Sequence, residues 1–238
     1  MIRKIIMAVS LISLIMSQAA CKKIKGKGDV ITESRAVSGY TAIDLSVSGD
    51  VYFTPDLDFR LTLEGQQNVL DVIETQIEGS NLVIKLKDHY TLGTHEPLKV
   101  NIHAPNIKQL LINGAGSFNV QSVWAGNVLG VGISGSGDMY LGDIQAHQVK
   151  ANISGSGSIH GNGGITDNLD LNISGSGSMD FQYLSADTVY ASISGSGDMW
   201  LWAGKLLDGT ISGSGNIYYK GTPVIYSNIS GSGSIKPI

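Results

Sequence analysis

The sequence is poor in most of what a disulfide-built or catalytic domain uses. One cysteine in 238 residues means that no disulfide can close within the chain. The five histidines (His89, His95, His103, His147, His160) show no metal-ligand spacing, and no calcium loop of the D-x-D-x-D-G type occurs. Serine and glycine abound, yet no serine lies in a G-x-S-x-G elbow. No cofactor or metal is therefore expected. Prolines number five, and charged residues make up 15%. Low charge beside 31 glycines could signal disorder, but an apolar fraction of 42% is too high for that.

What is present begins with an address. Arg3 and Lys4 precede an apolar run from Ile5 to about Met16, and small residues then lead to Cys21. The run is too short to span a bilayer, so residues 1–20 read as a secretory signal. The lone cysteine sits at the cleavage boundary, and Ala19-Ala20-Cys21 resembles the lipoprotein pattern in which the cysteine becomes the lipidated first residue. Gln18 departs from that pattern, and ordinary cleavage after Ala19, with Ser17 and Ala19 as the small pair, is the alternative. The lysine- and glycine-bearing residues 21–28 read as a flexible tether whose lysines could lean on anionic head groups. Residues 1–20 hold two of the 16 basic residues and no acidic ones, so their removal leaves a formal charge of −6. A mildly acidic body argues against nucleic acid as a partner.

Down the chain one string recurs. Copies align on Ile112, Ile133, Ile153, Ile173, Ile193, Ile211 and Ile229, mostly as Ile-Ser-Gly-Ser-Gly and 18–21 residues apart. Around each copy apolar residues alternate, as in Leu169, Leu171, Ile173 and then Met179, Phe181, the pattern of strands with one buried face. A unit of about 20 residues cannot bury its own apolar face, whereas stacked units can. Residues 106–238 are therefore expected to form a parallel β-helix of about seven coils, roughly 34 Å long at ~4.8 Å per coil. A barrel remains the alternative, because alternation alone does not separate parallel from antiparallel pairing. In the helical reading the motif glycines turn the corner, and Ser174, Ser176 and their equivalents form a hydroxyl ladder along the stack.

Residues 29–105 form a different, β-rich segment in which residues 66–74 place Val69, Leu70, Val72 and Ile73 on one face of a short helix. Within it, Ile43, Leu45 and Val47, then Ser-Gly-Asp, then Val51 and Phe53 read as a degenerate eighth copy with two residues missing from its corner. The segment is expected to cap the stack, since an open sheet edge invites polymerisation, with Lys236 and Pro237 guarding the far end. Gly130–Gly135 matches the dinucleotide fingerprint G-x-G-x-x-G, but it falls inside a repeat strand rather than at a strand-to-helix turn and is set aside.

The outward positions carry more chemistry than the motif. If Met139, Ile159, Met179, Met199 and Ile217 point inward, Tyr140, His160, Asp180, Trp200 and Tyr218 form one outward stripe, with Trp202 and Lys220 two residues further along. Exposed aromatics beside polar groups suit sugar rings or a partner protein surface, and His160 beside Asp180 would be an acid–base pair for a polysaccharide-processing enzyme. The bland expectation is that these side chains cover the sheet or meet a partner chain. One position earlier, Asp138, Ser158, Ser178, Asp198, Asn216 and Ser234 form a second row whose aspartates stay three coils apart, so that like charges do not stack.

The strings at residues 40–53, 65–86 and 98–120, together with the Ile-Ser-Gly-Ser-Gly run, resemble the head GIN domain family over residues 37–235. The family's label, putative auto-transporter adhesin, names no reaction, and no catalytic residues come with it. The resemblance implies an extracytoplasmic, all-β body with a right-handed parallel β-helix, often behind a lipoprotein signal. The expected protein is a non-enzymatic structural or adhesin-like surface module, anchored through Cys21 to the cell envelope, most simply the outer membrane. A carbohydrate-binding module using the aromatic stripe is the alternative, and a polysaccharide enzyme the third. Self-association into a homo-oligomer is expected of such a body.

Overall fold

The computed structural model describes residues 21–238, and the signal sequence expected over residues 1–20 lies outside the described residues. The chain is a β-helix of about six turns, 72% strand. Its first part comprises β1 (Lys22–Ile24), β2 (Val30–Arg35), β3 (Ala42–Ser46), β4 (Asp50–Pro55), β5 (Arg60–Gln66), α1 (Gln67–Leu70), β6 (Ile73–Glu78), β7 (Asn81–Leu86), β8 (Tyr90–Leu92) and β9 (Lys99–Ala104). The repeats supply β10 (Gln109–Gly114), β11 (Ser117–Val120), β12 (Trp124–Gly135), β13 (Asp138–Gly155), β14 (Ser158–Gly175), β15 (Ser178–Gly195), β16 (Asp198–Gly213), β17 (Asn216–Lys220), β18 (Val224–Gly231) and β19 (Ser234–Pro237).

Every ladder between repeats is parallel and keeps the register of the motif: Ile112 pairs with Ile133, Ile133 with Ile153, and so on to Ile211 with Ile229. The parallel pairing excludes the barrel alternative. Strands are longer than alternation suggests, 18 residues in β13, β14 and β15, because pairing carries on through the bends. The inward set reveals those bends: in β13 it runs Met139, Leu141, then Ile144, then Val149, Ala151, Ile153, so its parity breaks twice and the coil has three sides. These side chains are 0–2% exposed and form one continuous core with those of the first part. Each fully buried aliphatic contributes on the order of 1.5–3 kcal/mol.

The Ile-Ser-Gly-Ser-Gly corner is held by its backbone rather than by its serines. Gly175 has φ 127°, and a Cβ there would lie 2.4 Å from the carbonyl oxygen of Gly155 one coil below, so no other residue fits. That close approach lets the Ser176 amide donate to Gly155 O at 2.9 Å while the Gly177 amide donates to the same oxygen at 3.1 Å. Ser174 and Ser176 themselves are exposed, and no side-chain hydrogen bond links them to a neighbouring coil. The expected hydroxyl ladder is therefore absent at these positions: their side chains point away from the coil into water.

A side-chain ladder does exist, in the row just after the corner. Ser117 donates to Asp50 Oδ1 at 2.7 Å, and Ser158 donates to Asp138. Asn216 donates to Asp198 Oδ1 through both its amide (2.8 Å) and its Nδ2 (3.0 Å), and Ser234 donates to Asn216 Oδ1 at 2.7 Å. The spacing of the aspartates thus gives each acceptor a donor in the next coil.

The first part closes one end of the stack. β3 and β4 pair in parallel with β10 and β11, as the eighth-copy reading requires, with Leu45 opposite Ile112 and Val51 opposite Phe118. The corner between them has the full length, not two residues fewer. Val47, 5% exposed, stands where the repeats carry the positive-φ glycine, so this corner is filled by a buried side chain instead. Beyond it β7 and β9 extend the stack, and antiparallel pairs of β6 with β7, β5 with β9 and β2 with β5 cover the end.

The predicted helix shrinks to the four residues of α1: Val69 and Leu70 lie in it, Val72 in the following turn, and Ile73 starts β6. All four are buried as expected, but a β-branched pair suits an extended chain better than another helical turn. The segment expected as a flexible tether is also partly ordered. β1 pairs in parallel with β8, and Asn68 Nδ2 donates to Lys25 O at 2.7 Å while its Oδ1 accepts from the Lys27 amide at 2.9 Å. Cys21 is exposed and adjoins this docked strand at the capped end. Among the described residues no helix is long and apolar enough to cross a membrane.

Candidate functional site

The parallel register builds the stripe residue by residue. Tyr140 lies beside His160, His160 beside Asp180, Asp180 beside Trp200 and Trp200 beside Tyr218, with Lys236 one coil further. The inward neighbours Met139, Ile159, Met179, Met199 and Ile217 are all 0% exposed, so each outward side chain stands on a rigid rung. At the other end the row continues through Asn119 to Tyr52.

Adjacent members of the row pair by shape. The rings of Tyr140 and His160 stack at 5.2 Å and 8°, and those of Trp200 and Tyr218 at 5.3 Å and 16°. Such pairs hold one another's rotamers and present a flat, amphipathic surface. Asp180 lies between them but turns aside: its carboxylate accepts from the Gln182 amide at 3.2 Å and from Gln182 Nε2 at 3.0 Å. His160 and Asp180 share no hydrogen bond, so the acid–base arrangement weighed from the sequence is not assembled in this geometry.

Two further aromatics widen the stripe at its far end. Trp202 is 39% exposed and pairs with Lys220, whose Nζ sits 4.4 Å above the ring centroid of Tyr183. That is close cation–π geometry. Tyr183 is 58% exposed and escaped the sequence reading. It lies in the one ladder where the register shifts, between Phe181 and Ser185, so counting in twos from Met179 assigns it to the inward set, whereas it faces out. Tyr183, Trp200, Trp202, Tyr218 and Lys220 thus gather at the end opposite Cys21.

The other outer surfaces carry less chemistry. A shallow groove of about 390 Å³ runs along the side formed by Asn152, Asn172, Ser154 and Ser174, its lining uncharged and mainly apolar, with Leu111 and Ile153 beside the amides and hydroxyls. One bend carries an exposed hydrogen bond between His147 and Asp167 and an exposed ion pair between Lys205 and Asp187, both at 2.7 Å. The Asp187 hydrogen bond and charge raise the Lys205 pKa. No group of three potential metal ligands occurs among the described residues. The G-x-G-x-x-G string lies inside β12, with no helix following it.

Several solved structures share this fold. A putative adhesin from Bacteroides fragilis is 23% identical with a TM-score of 0.86, covering 90% of this chain and all of that one. A putative lipid binding protein from Parabacteroides distasonis is 28% identical with a TM-score of 0.79, over 91% of this chain and all of that one. A putative adhesin from Parabacteroides merdae, 20% identical with a TM-score of 0.79, covers 91% of this chain and 99% of its own. No curated protein sequence matches the chain. The model of the family described as "putative auto-transporter adhesin, head GIN domain" matches residues 39–223, which span the cap and nearly all of the repeats; the chain belongs to that family.

Proposed function

We propose that the chain is an extracytoplasmic, lipid-anchored surface module that binds rather than catalyses, with the outward stripe as its contact face. The observation that carries this is the stripe's construction. Two stacked ring pairs and an exposed Trp202 are mounted on fully buried rungs, while the titratable members His160 and Asp180 are engaged by Tyr140 and Gln182. A face of that kind offers rigid apolar area with polar edges, which favours contact over proton transfer. Membership of an adhesin-like family supports a place at the cell surface or envelope.

The anchor agrees with the geometry. Acylation at Cys21 would attach the capped end to the membrane, because β1 is docked there, and would leave the Trp200–Tyr218 end as the distal one. Radiolabelled palmitate incorporation lost in Cys21→Ala is the expected result, and incorporation that survives the substitution overturns the anchor.

A second reading gives the stripe a specific ligand class, glycans. It is favoured by the cluster of Trp202, Tyr183 and Lys220, in which open ring faces lie beside a cation able to donate hydrogen bonds. Binding of residues 21–238 to a glycan array, weakened roughly tenfold or more in Trp202→Ala, is the expected outcome. Binding to no glycan, or binding indifferent to this change, removes it.

A further inference from the structure

The two ends of the stack are finished differently. At the capped end the apolar residues of β5 and α1 lie over the core, with Leu61, Leu63 and Leu70 at most 2% exposed. At the other end nothing among the described residues covers the last coil. Ile225 and Ile229 occupy the inward positions of Leu207 and Ile211, yet they are 39% and 42% exposed where their predecessors are 0% and 1%.

Along β18 the edge is unguarded. All eight residues of β18 are exposed, and its ladder is with β16 on one side. Lys236 and Pro237, expected as guards, lie on β19 instead. From Gly221 to Ile235 there is no charged residue, as is also true from Gln109 to Gly137, but only the later stretch lies at an open end of the stack. A long, uncharged, apolar strand edge is a template for another strand.

The identity of that strand follows from symmetry. The free edges at the capped end, β2 and β6, carry Glu33, Arg35, Glu74 and Glu78, charges that disfavour the addition of an uncharged strand, which leaves two open ends to meet each other. Such a contact is isologous and brings the strand that lies on the dyad against itself in antiparallel, so that strand must match itself about the dyad. β18 does: its inward residues run Ile225, Ser227, Ile229, symmetric about Ser227. A dyad there sets each Ile225 opposite the second copy's Ile229 and brings the two Ser227 residues together. With no charge in the strand, no like charges meet.

We propose that the chain forms a twofold, tail-to-tail dimer through antiparallel pairing of Val224–Gly231 with the same strand of a second copy. The dimer is a longer β-helical rod with a cap at each end. Taken together with the anchor at Cys21, which is a separate reading, it places the two anchors at opposite ends. Contact would then join two facing surfaces rather than neighbours on one.

The test uses residues 21–238 with Cys21→Ser. Light scattering on a sizing column should give twice the chain mass, falling to the single mass in Ile229→Lys. Ser227→Cys, at an exposed position, should form a disulfide-linked dimer far faster than Asn152→Cys on the side of the stack, since antiparallel partners at a dyad lie within disulfide reach. A single-chain mass at all concentrations, or equal cross-linking at the two positions, overturns the dimer. The bridging consequence is read on vesicles bearing the chain coupled by a maleimide lipid to the exposed Cys21, which bypasses biological acylation. Vesicles that cluster with the unaltered chain and not with Ile229→Lys support it, and vesicles that stay dispersed overturn it, whatever palmitate labelling shows.

Discussion

The capped end and the repeat body solve the same problem, turning an extended chain through a tight corner, by opposite means. In the repeats the corner is emptied: Gly175 and Gly177 leave room for the carbonyl of the coil below to come within hydrogen-bond reach of two amides. In the cap the equivalent corner is filled, because Val47 takes the glycine position and buries its side chain. The emptied corner can be stacked without limit, each copy accepting the next. The filled corner pairs with only one repeat and is covered by antiparallel strands on its other side, so the stack stops there. Repetition therefore extends the molecule, and departure from repetition ends it.

The strongest way to break this contrast is to exchange the corners. Gly175→Val should cost about 4 kcal/mol or more, since it adds a Cβ at positive φ against Gly155 O, and denaturant unfolding would measure it. Val47→Gly at the equivalent place should cost only about 2 kcal/mol, the loss of a buried side chain with no relief of strain. Equal costs would show that the two corners do not differ in the way described.

A second test separates the cap by pH. Tyr40 lies in it fully buried, its hydroxyl has no hydrogen-bond partner among the described residues, and burial pushes its pKa up to about 12 from the ordinary 10.0. Between those values the unfolded chain releases the proton while the folded chain retains it, so stability is full below about pH 10 and falls as pH climbs towards 12. Tyr40→Phe should remove that part of the alkaline loss, while leaving stability at neutral pH unchanged or slightly higher. Unfolding midpoints at pH 7 and pH 11 would show whether the two chains diverge only at the higher value.

Within the body the ladder row should matter more than the motif serines. Ser158→Ala removes the donor to half-buried Asp138 and should cost about 1 kcal/mol, whereas Ser156→Ala, at an exposed serine, should cost almost nothing. Thermal unfolding of the two variants side by side would decide, and a larger loss in Ser156→Ala would restore the hydroxyl-ladder expectation. The smallest effect belongs to the exposed bend. Lys205→Ala breaks the pair with Asp187 in open solvent, and its melting temperature should match the unaltered chain within error once salt is raised.

These contrasts show why some features were legible in the sequence and others not. Ile173 and Met179 announce a buried rung because alternation follows from the pleat alone. The stripe from Tyr140 to Tyr218 was legible for the same reason: a fixed period assigns each outward residue its neighbour in the next coil. Tyr183 was lost where the register shifts, and the serine ladder was misplaced because a repeated residue type says nothing of which way its side chain points. The docked tether depends on Asn68 reaching Lys25 and Lys27 across 41–43 residues, which no local pattern encodes. Likewise the full-length corner at Val47 is visible only once Leu45 is seen opposite Ile112.

By itself, then, the sequence determined the stacked repeat, its period, the inward residues and the outward row from Tyr140 to Tyr218, because a repeat with two-residue alternation leaves the backbone few alternatives. Only the tertiary structure decided the orientation of side chains, the pairing of His160 with Tyr140 rather than with Asp180, and the exposure of Ile225 and Ile229 at the open end. Those outcomes depend on contacts between residues far apart in the chain and on where stacking stops, and a local pattern carries neither.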